Sequence, residues 1–436
     1  MERNRRVVLV SLGCSKNLVD SERMLGVLAK HGYQIVDDPQ QADIVIVNTC
    51  GFIRDAKQES IDTILELAEL KKERKLRLIV AGCLATRYSN ELLAEMPEID
   101  GLLGVHDIDL VVEAIERCDA GLRPVPGRVR DYQIHCGLPR IALTPKSYAY
   151  LKIAEGCNNR CSYCAIPLIR GAYRSMPMDG LVEEAQQLAT RGVKELVIVA
   201  QDTTIYGQDI YGRPQLHQLL RRLSQTDVQW IRVMYAHPAH VYDEFLAELQ
   251  SNPKVVKYLD LPAQHVSSRL LKLMNRPYSF EELQERLEQV RKHVPSIALR
   301  TTFMVGFPGE TEREFLELLE FVEKGQFEHV GFFAYSREEG TPAASLPDQL
   351  KRAVKNQRLV EAHRIAAQVR DTLKRRHVGK RLRLLADGTG ARGSYCRSYM
   401  QAPEVDDYVL LGRPLEQGSF VEATLTGFKG DYFEAQ

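Results

Sequence analysis

Three widely spaced cysteines constrain the fold of the N-terminal part of the chain more than any other feature. Cys14, Cys50 and Cys83 each end a short apolar run that is predicted to be a β-strand, and they lie 36 and 33 residues apart. Each interval has the length of one strand–helix–strand unit. Parallel strands connected in this way end at the same edge of a sheet, where α/β proteins bind ligands. The pattern therefore predicts three thiols that converge on one point of a parallel sheet.

A second group of cysteines lies close together in the chain. Cys157, Cys161 and Cys164 form a C-x3-C-x2-C motif after the first strand of a second predicted α/β region. Thiolates are the usual protein ligands of iron–sulfur clusters, and one loop can present three of them to a single cluster. A four-iron cluster held by three cysteines keeps one iron open for another molecule.

Each cysteine group also has a simpler interpretation. The strand-end cysteines could be buried structural residues, as free cysteines often are, but this leaves their shared position at strand ends unexplained. The close group could bind zinc, which normally needs a fourth ligand, and His135 or Cys136 lies upstream in a Gly- and Pro-rich stretch. Cys118, Cys136 and Cys396 complete no ligand spacing and end no strand, so we predict that they are not ligands.

The alternation of predicted strands and helices indicates an α/β fold in three parts. Residues 5–118 are predicted to form a parallel α/β sheet domain, and a Gly- and Pro-rich linker follows over residues 119–142. Residues 143–373 contain six strand–helix units, which predict a partial, TIM-like (β/α)6 barrel, because the complete form has eight. Short alternating segments over residues 374–436 predict a small antiparallel β-barrel.

Charge and hydropathy argue against several classes of protein. The chain carries 58 basic and 58 acidic residues, so charge alone does not favour nucleic acid as the primary partner, although local contact with it remains compatible. No apolar run approaches the ~20 residues of a membrane span, and the run at residues 7–10 is too short for a signal peptide. We therefore expect a cytoplasmic protein with no membrane partner. Thiols are kept reduced in the cytoplasm, so the nine cysteines are not expected to form disulfides.

The cysteine motifs resemble those of known enzymes. The C-x3-C-x2-C loop, with Tyr163 before its last cysteine, resembles the hallmark of the radical S-adenosylmethionine (SAM) superfamily. Residues 11–22, 47–53 and 81–88 resemble the cysteine segments of the methylthiotransferase family, which combines a three-cysteine domain, a radical SAM barrel and a C-terminal TRAM β-barrel. One departure is Ser15, where the RimO type of this family more often has proline. The RimO type is otherwise favoured by residues 151–157, 165–167, 201–204 and 206–207.

The resemblance implies two [4Fe-4S] clusters and SAM as cofactors, with an electron donor such as flavodoxin or ferredoxin. The close cysteine group would hold the cluster that cleaves SAM to a radical, and the strand-end group would hold the cluster that carries the sulfur. The implied reaction uses two SAM molecules and a sulfur donor to insert a methylthio group at the β-carbon of an aspartate in the twelfth small-subunit ribosomal protein. The alternatives are the MiaB type, which modifies a transfer-RNA adenosine and typically has Tyr-Gly-Cys-Gln-Met-Asn at the first cysteine motif, and a non-catalytic iron–sulfur RNA-binding protein.

The resemblance also implies a set of contacts to SAM. Apart from Tyr163, they follow predicted barrel strands, where barrel active sites lie. Glycines there allow close backbone approach, and the N-terminus of the next helix suits a carboxylate. The simpler interpretation is a strand-to-helix turn capped by Thr311 and, at the earlier strand, a helix cap. The implied contacts are Tyr163, Gln201, Asp202, Gly306, Gly309 and Glu310.

Acidic residues in the tail suggest how substrate would dock. Glu404, Asp406 and Asp407 lie close together in the predicted C-terminal barrel. An acidic face suits a basic ribosomal protein, whereas a solvated surface is the simpler interpretation.

Overall fold

The computed structural model describes residues 4–127 and 137–436, which divide into two compact units. The first contains the chain up to Leu143 together with Glu155–Met176 and Ser336–Ala344, and the second contains Thr144–Ala154, Pro177–Tyr335 and Ser345–Gln436. The sequence-based boundaries at 118, 142 and 373 stay a prediction. His135 and Cys136 lie outside the described residues.

The first unit is built on a five-stranded parallel sheet in the order β2-β1-β3-β4-β5. All six residues of β3 are buried, as expected for a strand covered on both faces. The predicted strands are present, and the structure adds β2, whose two residues are too few to form a recognisable apolar run. The strands are β1 (Arg6–Ser11), β2 (Gln34–Ile35), β3 (Ile44–Thr49), β4 (Arg77–Gly82) and β5 (Gly101–Leu103).

The first unit has six α-helices within the described residues. The first five lie among or directly after the strands of this sheet in the chain, and the sixth follows the second cysteine group. One apolar cluster packs α2 against the sheet, and another includes residues of α1 and α5. The helices are α1 (Ser15–Lys30), α2 (Arg54–Glu73), α3 (Cys83–Arg87), α4 (Ser89–Glu95), α5 (Val111–Asp119) and α6 (Ile166–Arg170).

The second unit contains a six-stranded parallel sheet in the order β13-β12-β11-β10-β9-β6. This open sheet confirms the predicted partial barrel. Its strands are β6 (Tyr148–Lys152), β9 (Glu195–Val199), β10 (Trp230–Val233), β11 (Val255–Asp260), β12 (Ala298–Val305) and β13 (His329–Ala334); two short strands, β7 (Ala154–Glu155) and β8 (Arg174–Ser175), precede β9 in the chain.

Helices alternate with the strands of the second unit, as the sequence predicts. Two of them, α12 and α13, begin with complete capping boxes, in which a Ser or Thr and a Glu satisfy each other's backbone groups. No helix within the described ranges is both long and apolar enough to cross a membrane. The helices are α7 (Met178–Thr190), α8 (Gln208–Tyr211), α9 (Leu216–Leu223), α10 (Asp243–Ser251), α11 (Ser268–Leu273), α12 (Phe280–His293), α13 (Glu312–Glu323) and α14 (Arg352–Arg375).

The C-terminal part of the second unit is a closed five-stranded barrel in the order β14-β15-β16-β18-β17. The prediction that all its strands are antiparallel is wrong in one pair, because β16 and β18 are parallel. In a closed ring with an odd number of strands the directions cannot alternate throughout, so one parallel pair is required. The sequence analysis also missed β15. The strands are β14 (Arg381–Gly390), β15 (Gly393–Arg397), β16 (Tyr408–Leu411), β17 (Phe420–Lys429) and β18 (Tyr432–Ala435).

The acidic residues of this barrel make internal contacts. The Asp406 carboxylate accepts a hydrogen bond from the Tyr258 hydroxyl at 2.7 Å and pairs with Arg300 at 3.2 Å, and its side chain is 1% exposed. Asp407 pairs with Lys374 and is 5% exposed. Both Glu404 carboxylate oxygens accept hydrogen bonds from tyrosine hydroxyls of β6. The prediction that these three residues form a docking face is therefore wrong for Asp406 and Asp407, whose side chains are buried, whereas Glu404 is exposed. The carboxylates of Glu404 and Asp406 contact residues of the parallel sheet, and that of Asp407 contacts Lys374 near the end of α14.

Candidate functional site

The strand-end cysteines meet at the carboxyl edge of the N-terminal sheet. Cys50 and Cys83 directly follow β3 and β4, whereas Cys14 comes three residues after β1 and precedes the first residue of α1. Since β1, β3 and β4 are adjacent in the sheet, the three cysteine loops are also adjacent. We call Cys14, Cys50 and Cys83 the strand-end triad.

Two glycines allow these loops to approach one another closely. Gly13 has a φ of 87°, and a Cβ built on it would lie 2.9 Å from the Cys50 Cβ and 3.3 Å from the Cys50 Sγ. A Cβ on Gly51 would lie 2.9 Å from the Cys83 carbonyl carbon. Any larger residue at either position would push the cysteine loops apart.

The three thiols differ in their electrostatic surroundings. Burial raises the pKa of Cys50 to about 12, and burial also raises the pKa of Cys83 despite the nearby Arg170. Desolvation opposes ionisation of Cys14 as well, but the charges of Lys16 and Arg170 and backbone N–H groups at the start of α1 outweigh it and lower its pKa. Cys50 and Cys83 are buried and Cys14 is exposed. Thiols beside cations suit a metal cluster that keeps them as thiolates. This donor set fits an iron–sulfur cluster with three protein ligands.

The second cysteine group, which we call the loop triad, also lies in the first unit. Its loop begins at Gly156, which has a φ of 72° and where a Cβ would lie 2.1 Å from the Ala172 carbonyl oxygen. The backbone N–H of Cys157 donates to the Gly171 carbonyl at 3.1 Å, so the two ends of the loop are tied together. Cys157 is buried, whereas Cys161 and Cys164 are partly exposed. The loop is therefore held firmly at its ends while two of its thiols remain accessible.

Polar residues that sequence reasoning missed surround the strand-end triad. The Asn17 side-chain amide donates to the carbonyl oxygens of Leu12 and Thr49, which precede Cys14 and Cys50. The buried Arg170 guanidinium, on the helix after the loop triad, reaches both Asn17 and the Cys83 sulfur. An arginine within the apolar run Ile-Pro-Leu-Ile-Arg is the signal that could have identified it.

A second buried ion pair holds the helix that starts at Cys83. Glu338 is 2% exposed, and its carboxylate pairs with Arg87 and Lys57, each at 2.8 Å. Arg87 also donates to the carbonyl of Gly51, the residue after Cys50. In the same segment, the Ala343 N–H donates to the Ser162 carbonyl between two cysteines of the loop triad. Residues 336–344 therefore contact the helix that starts at Cys83 and the loop that carries Cys157, Cys161 and Cys164.

The predicted SAM contacts are divided between the two units. Tyr163 belongs to the first, whereas Gln201, Asp202, Gly306, Gly309 and Glu310 follow strands of the second. Tyr163 and Gln201 are partly buried. Gly306 and Gly309 both have positive φ, at 74° and 76°, and a Cβ on Gly306 would lie 2.5 Å from Lys355.

The two predicted carboxylates make contacts inside the protein. Asp202 is fully buried and accepts hydrogen bonds from Thr204 and pairs with His240 at 2.7 Å. Although desolvation opposes ionisation, the hydrogen bond from His240 and the other neighbours lower the pKa of Asp202 to about 2. The Glu310 carboxylate contacts His265 and Arg358 and accepts from the Gly306 N–H. Both carboxylates fix the segments around them.

A pair of histidines beside Asp202 was also not predicted from the sequence. The rings of His237 and His240 stack with centroids 4.4 Å apart, and burial lowers the pKa of His237 well below its usual value. One ligand atom from each histidine and one from Asp202 lie within 4.8 Å of one another. The run His-Pro-Ala-His, which starts four residues after the last residue of β10, is the signal for this group.

Comparison with family models assigns each part of the chain. Residues 6–104 match the Uncharacterized protein family UPF0004, residues 151–322 match the Radical SAM superfamily, and residues 378–436 match the TRAM domain.

Solved structures share the fold. A radical S-adenosylmethionine methyltransferase, TsrM, from Kitasatospora setae, solved with cobalamin and a [4Fe-4S] cluster bound, superposes with a TM-score of 0.58. The superposition covers 79% of this chain and 77% of that chain at 17% identity. At this level of identity the likeness concerns the fold alone.

Curated relatives match along nearly the whole chain. The ribosomal protein uS12 methylthiotransferase RimO of Thermoanaerobacter sp. (strain X514) is 46% identical over 425 residues, which is 97% of each chain. The protein of the same name from Caldanaerobacter subterraneus subsp. tengcongensis is 47% identical over 424 residues, again 97% of each. With this identity and the three matching family models, the chain belongs to the RimO family of radical SAM methylthiotransferases.

Proposed function

We propose that the chain inserts a methylthio group at the β-carbon of an aspartate in ribosomal protein uS12. The names of its relatives support this substrate, and the family's cofactors, two [4Fe-4S] clusters and SAM, are also those of this chain. The proposal places the protein in the cytoplasm, with flavodoxin or ferredoxin as electron donor and uS12 as its substrate partner.

One observation carries the proposal: the strand-end triad and the loop triad lie in the same compact unit. We propose that Cys14, Cys50 and Cys83 hold one cluster and that Cys157, Cys161 and Cys164 hold the other. When bound, the loop-triad cluster supplies the electron that cleaves SAM, and the strand-end cluster carries the sulfur.

The remaining residues of the proposed site contact SAM or fix the segments that contact it. Tyr163, Gln201, Gly306 and Gly309 are proposed contacts to SAM, because they offer an aromatic ring, an amide or close backbone approach. Asp202 and Glu310 contribute to the proposed SAM site indirectly, because their buried carboxylates fix the conformation of the segments around them. Burial of Glu310 between His265 and Arg358 fixes the turn at residues 306–310.

Mass spectrometry of uS12 tests this function. In cells that lack the gene, uS12 should lose a methylthio group, and a plasmid copy of the gene should restore it. Cys50→Ala should fail to restore it, whereas Cys118→Ala, the same change at another buried cysteine, should restore it fully. Unmodified uS12 in the parent strain, together with loss of a methylthio group from transfer-RNA adenosine in the mutant, would instead support the MiaB-type activity.

A further inference from the structure

Arg170 is the residue that joins the two cysteine groups. It ends α6, six residues after Cys164, and its side chain is 1% exposed. Its Nη1 donates to the Glu155 carboxylate at 2.8 Å and lies 3.3 Å from Asp20. Its Nη2 donates to Asn17 Oδ1 and lies 3.5 Å from the Cys83 sulfur. One guanidinium therefore contacts the residue that precedes the loop triad's first turn and a ligand of the strand-end triad.

The surroundings of Arg170 keep it charged. Burial alone would lower its pKa, but Cys83, Glu155 and Asp20 outweigh this effect and hold the pKa of Arg170 well above its usual value. A buried guanidinium is tolerated only when its donors are satisfied, and these contacts occupy both of its terminal nitrogens. The positive charge next to the Cys83 sulfur is therefore a permanent feature of the fold.

A hydrogen-bonded cation beside a cluster sulfur has a known physical effect. Hydrogen bonds to the sulfur atoms and nearby charges are among the factors that set the reduction potential of an iron–sulfur cluster. A positive charge stabilises the reduced cluster, which carries one more negative charge, over the oxidised one. A hydrogen bond from a charged donor adds to this stabilisation.

We propose that Arg170 is a positioning residue that donates a hydrogen bond to the Cys83 sulfur and raises the reduction potential of the cluster held by the strand-end triad. This inference rests on the proposed function, which assigns a cluster to that triad. Through Glu155, whose carboxylate also accepts from the Gly156 N–H, the same side chain fixes the start of the loop triad. The reduction potential of the strand-end cluster and the conformation of the loop that carries the loop triad therefore both depend on Arg170.

The test measures a potential rather than activity. The full chain with Cys157, Cys161 and Cys164 replaced by alanine holds only the strand-end cluster. In this parent, Arg170→Gln, Arg170→Lys and the control Arg117→Gln are compared by iron content and by a potentiometric titration followed by electron paramagnetic resonance. Arg117 is 47% exposed on α5, so its replacement removes the same charge from a solvated position.

Arg170→Gln should keep the iron of the parent and shift the one-electron reduction equilibrium about tenfold toward the oxidised cluster, which is ~59 mV. Arg170→Lys, which keeps the charge, should shift it less, and Arg117→Gln should leave it unchanged. Equal potentials in all four proteins would overturn the role of Arg170. Loss of iron from both Arg170 variants would also overturn it, because the residue would then be needed for folding of the site. A parent without iron would instead overturn the cluster assignment and the inference that depends on it.

Discussion

The two cysteine triads are built in opposite ways within the same unit. The loop triad takes its three cysteines from eight consecutive residues, and its geometry depends on one loop that is tied at its ends by Cys157 and Gly171. The strand-end triad takes its cysteines from the ends of three neighbouring strands, so its geometry depends on the register of the sheet and on the close packing of Gly13 and Gly51. A local site tolerates changes in the rest of the fold, whereas a site assembled from distant strands requires the whole domain.

Removing each triad in turn is the strongest test of this difference. Alanine at Cys157, Cys161 and Cys164 should halve the bound iron and abolish formation of 5′-deoxyadenosine from SAM. Alanine at the strand-end triad should also halve the iron but leave cleavage of SAM, because that cluster does not supply the electron. Both quantities are measured on anaerobically reconstituted protein by iron analysis and chromatography.

The control for this experiment replaces the other described cysteines. Cys118 lies on α5 and Cys396 on β15, and both are buried. Their double replacement by alanine should leave the iron content unchanged. If the strand-end variant keeps the iron of the parent, the assignment of a cluster to that triad is wrong.

Glycine replacements should separate the two triads without touching a ligand. Gly51→Ala should lower the iron of the strand-end site alone, because its Cβ would lie 2.9 Å from the Cys83 backbone. Gly156→Ala should affect the loop triad, since its Cβ would lie 2.1 Å from a carbonyl oxygen and its φ is positive. Overpacking of this kind typically costs about 1–3 kcal/mol. Iron content and the thermal midpoint of unfolding measure both effects.

The matched control is Gly388→Ala in the C-terminal barrel. Among the residues that the structure describes, other than Gly388 and its two chain neighbours, none has an atom within 4 Å of a Cβ built at this position. It should change neither the iron content nor cleavage of SAM. The comparison fails if Gly51→Ala and Gly156→Ala remove the same cluster.

The same contrast between local and distant interactions explains what could be predicted from the sequence. Buried strands such as β3 form continuous apolar runs, and the period between the strand-end cysteines predicts their common edge. The two-residue β2 and the polar β15 lack such a signal. Arg170 was missed because its partners Asn17 and Cys83 lie far away in the chain.

The acidic residues of the tail illustrate the limit most clearly. As a sequence, Glu404, Asp406 and Asp407 resemble a solvated face. Asp406 is buried because Tyr258 and Arg300, more than 100 residues earlier in the chain, supply its hydrogen bonds. A local pattern of charge cannot reveal partners that only the topology brings together.

A smaller effect is expected at Asn17, whose side chain contacts the loops of the strand-end triad and accepts a hydrogen bond from Arg170. Its amide donates to the carbonyls of Leu12 and Thr49, so Asn17→Ala would remove both of these hydrogen bonds. The loss should cost about 1–3 kcal/mol of the free energy of unfolding. Iron should be lost in part from the strand-end site and not from the loop site.

Asn90→Ala is the control for this change. Asn90 is exposed on α4, so its truncation should alter the free energy of unfolding by less than about 0.5 kcal/mol. Denaturant unfolding of the metal-free chains compares the two variants. Equal stability of both would show that the Asn17 contacts contribute nothing to the triad.

The smallest expected effect concerns the chemistry of single thiols and leaves the fold intact. Because the pKa of Cys14 is lowered, its thiolate should be present at lower pH than that of an ordinary cysteine, and the thiolate is the form that reacts with iodoacetamide. The pKa of Cys50 lies at about 12 and that of Cys118 at about 11, so both should stay protonated and react slowly. The reaction is followed by peptide mapping of the reduced, metal-free chain from about pH 6 to about pH 9, a range that reaches the ordinary pKa of a thiol. Cys14 should be modified first, and its rate of modification should level off at the lowest pH. Lys16→Gln removes the charge that lowers the pKa of Cys14 most, so it should move the Cys14 profile to higher pH and leave Cys118 unchanged. Modification of Cys50 ahead of Cys14 would contradict this account of the strand-end triad.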